Sequence, residues 1–99
     1  MTIAKDLAGE KLIISLEGRL DTTTAPELQE QLIPEFDKVK HIRLDFKQLV
    51  YVSSAGLRVL LLGEKTAKAK GGTMRLVNVS QEIQEIFEMT GFSEVLTIE

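Results

Sequence analysis

Between Tyr51 and Leu62 the chain reads YVSSAGLRVLLL, which sets two hydroxyls, Ser53 and Ser54, between an apolar run with strand character and an apolar run with helix character. Two kinds of chemistry are open to serine at such a junction. As an N-cap, its oxygen accepts a hydrogen bond from an amide of the helix's first turn. As a phosphate acceptor, it places an anion against the unpaired N–H groups and positive dipole end of the helix. A phosphate adds about −1.5 to −2 charges at that one point. Residue types and spacing admit both readings.

Catalytic alternatives are weaker. VSSAG, Val52 to Gly56, approaches the G-x-S-x-G nucleophile elbow, but Val52 stands where the first small residue belongs. The single histidine, His41, precedes the serines, whereas the hydrolase order places it after the nucleophile. At the start of a strand, His41 reads as a surface or edge residue. Gly71-Gly72-Thr73 lacks the lysine and spacing of a P-loop, and no G-x-G-x-x-G occurs, so these glycines read as a turn. Glu82, Glu85 and Glu88 recur every three residues, the pattern of a solvated helix face rather than an acid–base pair. No metal-ligand spacing is present, and the absence of cysteine removes disulfides, thiolate ligands and thiol nucleophiles together.

The elements that must carry the serines follow from periodicity. Residues 2–7 are expected to pair with a strand at Lys11 to Gly18, KLIISLEG, which reads as ending at its glycine. In TTTAPELQEQLIPEF, Thr24 stands three residues before Glu27 with Pro26 between them, the spacing of a capping box, so a helix should begin near Thr24. Leu28, Leu32 and Phe36, with Ile33 beside them, form its buried stripe, and Pro34 should distort its last turns. HIRLDF alternates as a strand, and LVYV leads into a helix of roughly four turns that stops at Gly71-Gly72. TMRLVNV predicts a strand, SQEIQEIFEMTG a helix capped by Ser80 and stopped by Gly91, and EVLTIE a last strand. Two strands followed by three helix–strand units predict an α/β fold, one mixed sheet of about five strands whose later members are parallel.

Stepping 100° per residue along the central helix puts Gly56, Val59, Leu60, Gly63 and Ala67 on one side, with Arg58, Lys65 and Lys68 opposite. Leu57, Leu61 and Leu62 land near the polar group. Either a neighbouring helix covers them, or they form an apolar patch beside the serines for a protein partner.

Bulk properties bound the rest. Ninety-nine residues, 43% hydrophobic and 27% charged, suit one compact domain spanning 1–99. Net charge is −3, the basic residues are dispersed and only five aromatics occur, which argues against nucleic acid as a partner. No long apolar span predicts membrane insertion, and the expected compartment is cytoplasmic.

Four stretches, GRLDTTTAPEL, YVSSAGLRVLLL, GGTMRLVN and IFEMTGF, occur in the order and at the spacings of STAS-domain anti-sigma factor antagonists of the SpoIIAA and RsbV kind, and the resemblance covers nearly the whole chain. It implies the STAS fold, no enzymatic activity and no cofactor on this chain. It implies as partner an anti-sigma factor with ATP-dependent serine kinase activity, which holds the ATP, and also a phosphatase acting on phosphoserine. The dephosphorylated antagonist captures the anti-sigma factor, and the phosphorylated form releases it. Aligned on Gly56-Leu57, the family's phosphoserine falls on Ser54, with Ser53 as second choice. Ser53 replaces the family's aspartate, Ala55 replaces a hydroxyl residue, and Arg58 stands where the best-known members have glycine. Asp21, in the loop with Thr22 and Thr23, matches an acidic residue near the site. The implied partner surface comprises Asp21, Thr22, Thr23, Ser53, Ser54, Ala55, Gly56, Leu57, Arg58 and Leu61. The rival implication is a STAS regulatory or scaffold subunit that is never phosphorylated, for example one serving a lipid-transport ATPase.

Overall fold

The computed structural model describes residues 1–99. Its strands are β1 (Thr2–Ala8), β2 (Lys11–Leu20), β3 (His41–Val52), β4 (Thr73–Val77) and β5 (Thr97–Ile98), and its helices are α1 (Ala25–Leu32), α2 (Ser54–Ala69) and α3 (Gln81–Thr90). The five strands form one sheet in the order β1-β2-β3-β4-β5, with β1 antiparallel to β2 and every later pair parallel. Each helix therefore carries the chain one strand onward in the same direction. Right-handed crossovers then put all three helices on one face of the sheet.

Burial follows that layering. Leu12, Ile14 and Leu16 of β2, Ile42, Leu44 and Phe46 of β3, and Met74 and Leu76 of β4 are buried, and they join Leu28, Leu32, Leu60, Ile83 and Phe87 of the helices in one core cluster. The residues between them on the strands, such as Ser15, Arg43 and Arg75, stay at least partly exposed. This alternation is the period of a sheet covered on one side only.

Several expectations are altered by backbone detail. Gly18 does not end its strand: with φ +109° it sits at an irregularity of the β2–β3 register, and β2 runs on to Leu20. A residue with a Cβ rarely adopts that conformation. HIRLDF and LVYV belong to one 12-residue strand. The pairing slips between Ser15 and Glu17 and again between Gly18 and Arg19, which lets both strands reach the far end of the sheet. EVLTIE supplies only Thr97–Ile98 as strand, because Phe92–Glu94 first form a 3-10 turn. Pro34 acts as expected, with the chain tightening to a 3-10 turn over Ile33–Asp37 after α1. Ser80 caps α3 by accepting from the Ile83 amide at 3.3 Å, and Gly91 ends it with φ +80°.

Candidate functional site

At the end of β3 the two serines divide the available chemistry. Ser53 has extended backbone, the conformation of an N-cap. Its Oγ accepts from the Gly56 amide at 3.3 Å and its carbonyl from the Leu57 amide at 2.9 Å, while its own amide donates to the Leu20 carbonyl at 2.8 Å. Ser54 is the first helical residue of α2 and is exposed, and no intramolecular hydrogen bond occupies its hydroxyl. The caps of the first turn thus come from Ser53 alone. Ser54 presents a free nucleophilic oxygen at the helix entrance.

Gly56 fixes where that entrance lies. A Cβ at this position would stand 2.6 Å from Leu20 Cγ and 3.1 Å from the Leu20 carbonyl, so only glycine lets α2 rest against the end of β2. Leu20 leads directly into the loop of Asp21, Thr22 and Thr23, which brings that loop beside the serines. Thr24 is not a capping-box residue, since its hydroxyl makes no bond to the first turn of α1. It accepts from the Asp21 amide at 2.8 Å and donates to the Arg19 carbonyl at 2.7 Å. Asp21 takes the capping role, its Oδ1 accepting from the amides of Thr23 at 3.0 Å and Thr24 at 3.1 Å. The Thr24 amide above all, then the Thr23 amide, the Thr24 hydroxyl and the Arg19 charge, hold the Asp21 carboxyl below the ordinary aspartate range, outweighing the desolvation that acts the other way. Arg19 also lies over the Tyr51 ring, 4.3 Å from its centroid, which ties the loop to the end of β3.

Between α1 and α2 runs a groove of about 540 Å³, with Thr22, Pro26, Gln29 and Glu30 on one wall and Ala55, Arg58 and Leu62 on the other. It opens beside Ser54 and continues the loop surface. The three leucines split across this landscape: Leu57 is only 5% exposed, Leu61 half-buried and Leu62 38% exposed. Gly56 and Leu57, proposed from the resemblance as contact residues, are therefore core. α2 lies centrally over the sheet and packs against α1 and both β3 and β4, so its buried arc is wider than one stripe. Asp21, Thr22, Thr23, Ser54, Ala55 and Arg58 share the accessible surface. Sequence reasoning missed the α1 wall of the groove, as well as Val50, 66% exposed, and Tyr51 beside it. Two adjacent large residues near a strand end break the in–out alternation, and that break was the available signal.

His41 and Ser54 lie at opposite ends of β3, so no serine–histidine pair exists for hydrolysis. No helix is long and apolar enough to cross a membrane.

Residues 2–99 match the STAS domain family. Among curated relatives, the anti-sigma-B factor antagonist of Bacillus subtilis (strain 168) is 31% identical over 85 residues, covering 86% of this chain and 78% of the relative. An anti-sigma factor antagonist from Mycobacterium paratuberculosis superposes with a TM-score of 0.85 at 18% identity, over 98% of this chain and 83% of that one. The Bacillus cell fate determinant SpoIIAA in its phosphorylated form superposes with a TM-score of 0.76 at 20% identity, over 99% of this chain and 91% of that one. The two structural likenesses establish the fold.

Proposed function

Since the chain belongs to the STAS domain family, we propose that it is an anti-sigma factor antagonist, a binding protein whose association with an anti-sigma factor ends when Ser54 is phosphorylated. The observation that carries the reading is the division between the serines: Ser53 is held by three hydrogen bonds, and Ser54 stands exposed at N1 of α2. The relatives that are anti-sigma factor antagonists support the partner class, and the solved phosphorylated SpoIIAA supports the modification.

In this reading the partner docks on the Asp21–Thr23 loop, the first turn of α2 and the adjoining groove. The partner brings the kinase activity and ATP, and this chain supplies the Ser54 hydroxyl as acceptor. The first-turn amides and helix dipole stabilise the phosphate on the free protein. The same phosphate places a double charge and its water shell where apolar contact with the partner is made, near Ala55 and Leu62, and each 1.4 kcal/mol or so of penalty lowers affinity about tenfold. No refolding is needed, because the cap and the Asp21 turn are already formed.

The test incubates the full chain with a kinase-type anti-sigma factor and ATP, reading intact mass and complex formation. Wild type and Ser53→Ala should each gain one phosphate and then release the partner, and Ser54→Ala should gain none and stay bound. Tight binding of wild type with no phosphate gained overturns the switch and favours a regulatory scaffold.

A further inference from the structure

We propose that the depression at the N-terminal ends of β2, β3 and β4, on the sheet face that no helix covers, is a second binding site, taking a small anion with two or more phosphate groups. The depression measures about 320 Å³ and is lined by Lys11, His41, Ile42, Arg43, Thr73 and Arg75. Three cations from three adjacent strands converge in a chain whose net charge is −3.

The registers make the concentration of charge explicit. Lys11, His41 and Thr73 form one row across the sheet, and Arg43 and Arg75 stand directly opposite each other in the next row but one. Like charges facing each other across a strand pair are unfavourable unless an anion lies between them. The chain's own Glu99 carboxylate supplies one, at 3.4 Å from Arg43 and 3.8 Å from Arg75. Those distances exceed the roughly 2.7–2.9 Å of a well-formed guanidinium–oxyanion bond. Arg43 Nε, moreover, is shielded from water and has no acceptor. Glu99 is thus a loose stand-in for a better ligand.

Ligand chemistry follows from spacing. Two strand separations of about 4.8 Å put Lys11 and Arg75 on strands roughly 10 Å apart, a span better matched by several linked acceptor groups than by one carboxylate. Linked phosphates offer several acceptor oxygens over such a span, matching the guanidinium forks, the Lys11 ammonium and the Thr73 hydroxyl, which now meets His41 Nδ1 at 2.9 Å. No Phe, Tyr or Trp lines the depression, and the one imidazole, His41, is engaged with the Thr73 hydroxyl, so phosphate is the group that the lining favours.

The proposal is independent of Ser54, and its test is titration of the full chain with sodium pyrophosphate and, separately, ADP, followed by calorimetry and by amide shifts in NMR spectra. Saturable binding with shifts centred on residues 11–13, 41–43 and 73–75 is expected. Arg75→Gln should weaken it at least tenfold, and thermal unfolding of this variant should show an intact fold. Glu99→Gln should tighten it several-fold by removing the internal carboxylate, and Lys65→Gln on α2 should change nothing. Equal affinity for ADP and pyrophosphate supports recognition through phosphate alone, and tighter ADP binding at the same amides supports the site with a base contact added. Shifts scattered over all basic residues, affinity indifferent to both Arg75→Gln and Glu99→Gln, or a polyglutamate peptide binding as tightly as pyrophosphate would each overturn it.

Discussion

Two neighbouring hydroxyls with the same intrinsic reactivity are separated by one helical position. Ser53 spends its oxygen on the Gly56 amide, and the side chain of Ser54, one residue on, makes no hydrogen bond within the chain. Replacing an N-cap serine by alanine costs about 1 kcal/mol, which for a domain near 100 residues lowers the unfolding midpoint by roughly 4–8 °C. Ser53→Ala should show that loss in a thermal melt and still accept phosphate, and Ser54→Ala should melt within about 0.5 kcal/mol of wild type and accept none. Asp21 gives a second test at this scale. Its folded-state carboxyl is held low, chiefly by the Thr24 amide, so the unfolded chain takes up a proton there first as pH falls. The stabilisation is full above the ordinary aspartate value of about 3.9 and is lost as pH drops through the lower folded value. Asp21→Asn can still accept from Thr23 and Thr24 but carries no charge. Below about pH 4, wild-type stability should therefore fall more steeply than that of Asp21→Asn in matched melts.

At the scale of elements, close approaches that sequence patterns describe poorly decide the geometry. Gly71 and Gly72 together read as a helix stop, yet only Gly71, with φ +74°, has the left-handed backbone of one. Gly72 is required for another reason: a Cβ there would lie 1.9 Å from the Lys40 carbonyl oxygen, which accepts the Thr73 amide at 2.8 Å where β4 begins. Gly63 meets side chains instead, 2.7 Å from Met74 Sδ and 3.0 Å from Leu32 Cδ2, and a methionine can move aside. Alanine at Gly63 should cost about 1–3 kcal/mol as ordinary overpacking. Alanine at Gly72 should cost more, since backbone must shift and a strand-initiating bond breaks. Denaturant midpoints of the two variants would order them. Periodic features of the fold were legible in sequence for a matching reason. Alternation exposed the buried face of β3, Leu28, Leu32 and Phe36 marked the stripe of α1, and Ser80 and Gly91 bounded α3. Illegible were contacts between distant segments, such as Gly56 against Leu20, Asp21 replacing Thr24 as the cap, and the burial of Leu57 on what the helical wheel made the polar side. The serines of the candidate site could be located from sequence, whereas the groove wall from α1 depends on how α1 and α2 pack.

Over the whole molecule, the one-sided sheet separates two surfaces of different chemistry. Ser54 stands two residues past Val52, the last residue of β3, and Arg43 is the strand's third residue. The nine steps from Arg43 to Val52, at about 3.3 Å each, set the two places on the order of 30 Å apart. At physiological ionic strength the screening length is about 8 Å, so a phosphate at Ser54 exerts little direct field on the arginines across the sheet. Mechanical coupling would need an element with two alternative packings, and β3 is instead paired with β2 from His41 to Val52 and with β4 over His41–Asp45, above a buried row of Ile42, Leu44, Phe46 and Leu49. The two surfaces should therefore act independently. In a double-mutant cycle of Ser54→Asp and Arg75→Gln, the aspartate should weaken binding to the anti-sigma factor by the same factor with or without Arg75. The glutamine should likewise weaken pyrophosphate binding equally in both Ser54 backgrounds, with interaction energies within about 0.5 kcal/mol of zero. A coupling well above that value would mean that β3 transmits a change between its ends and that the sheet is a moving part.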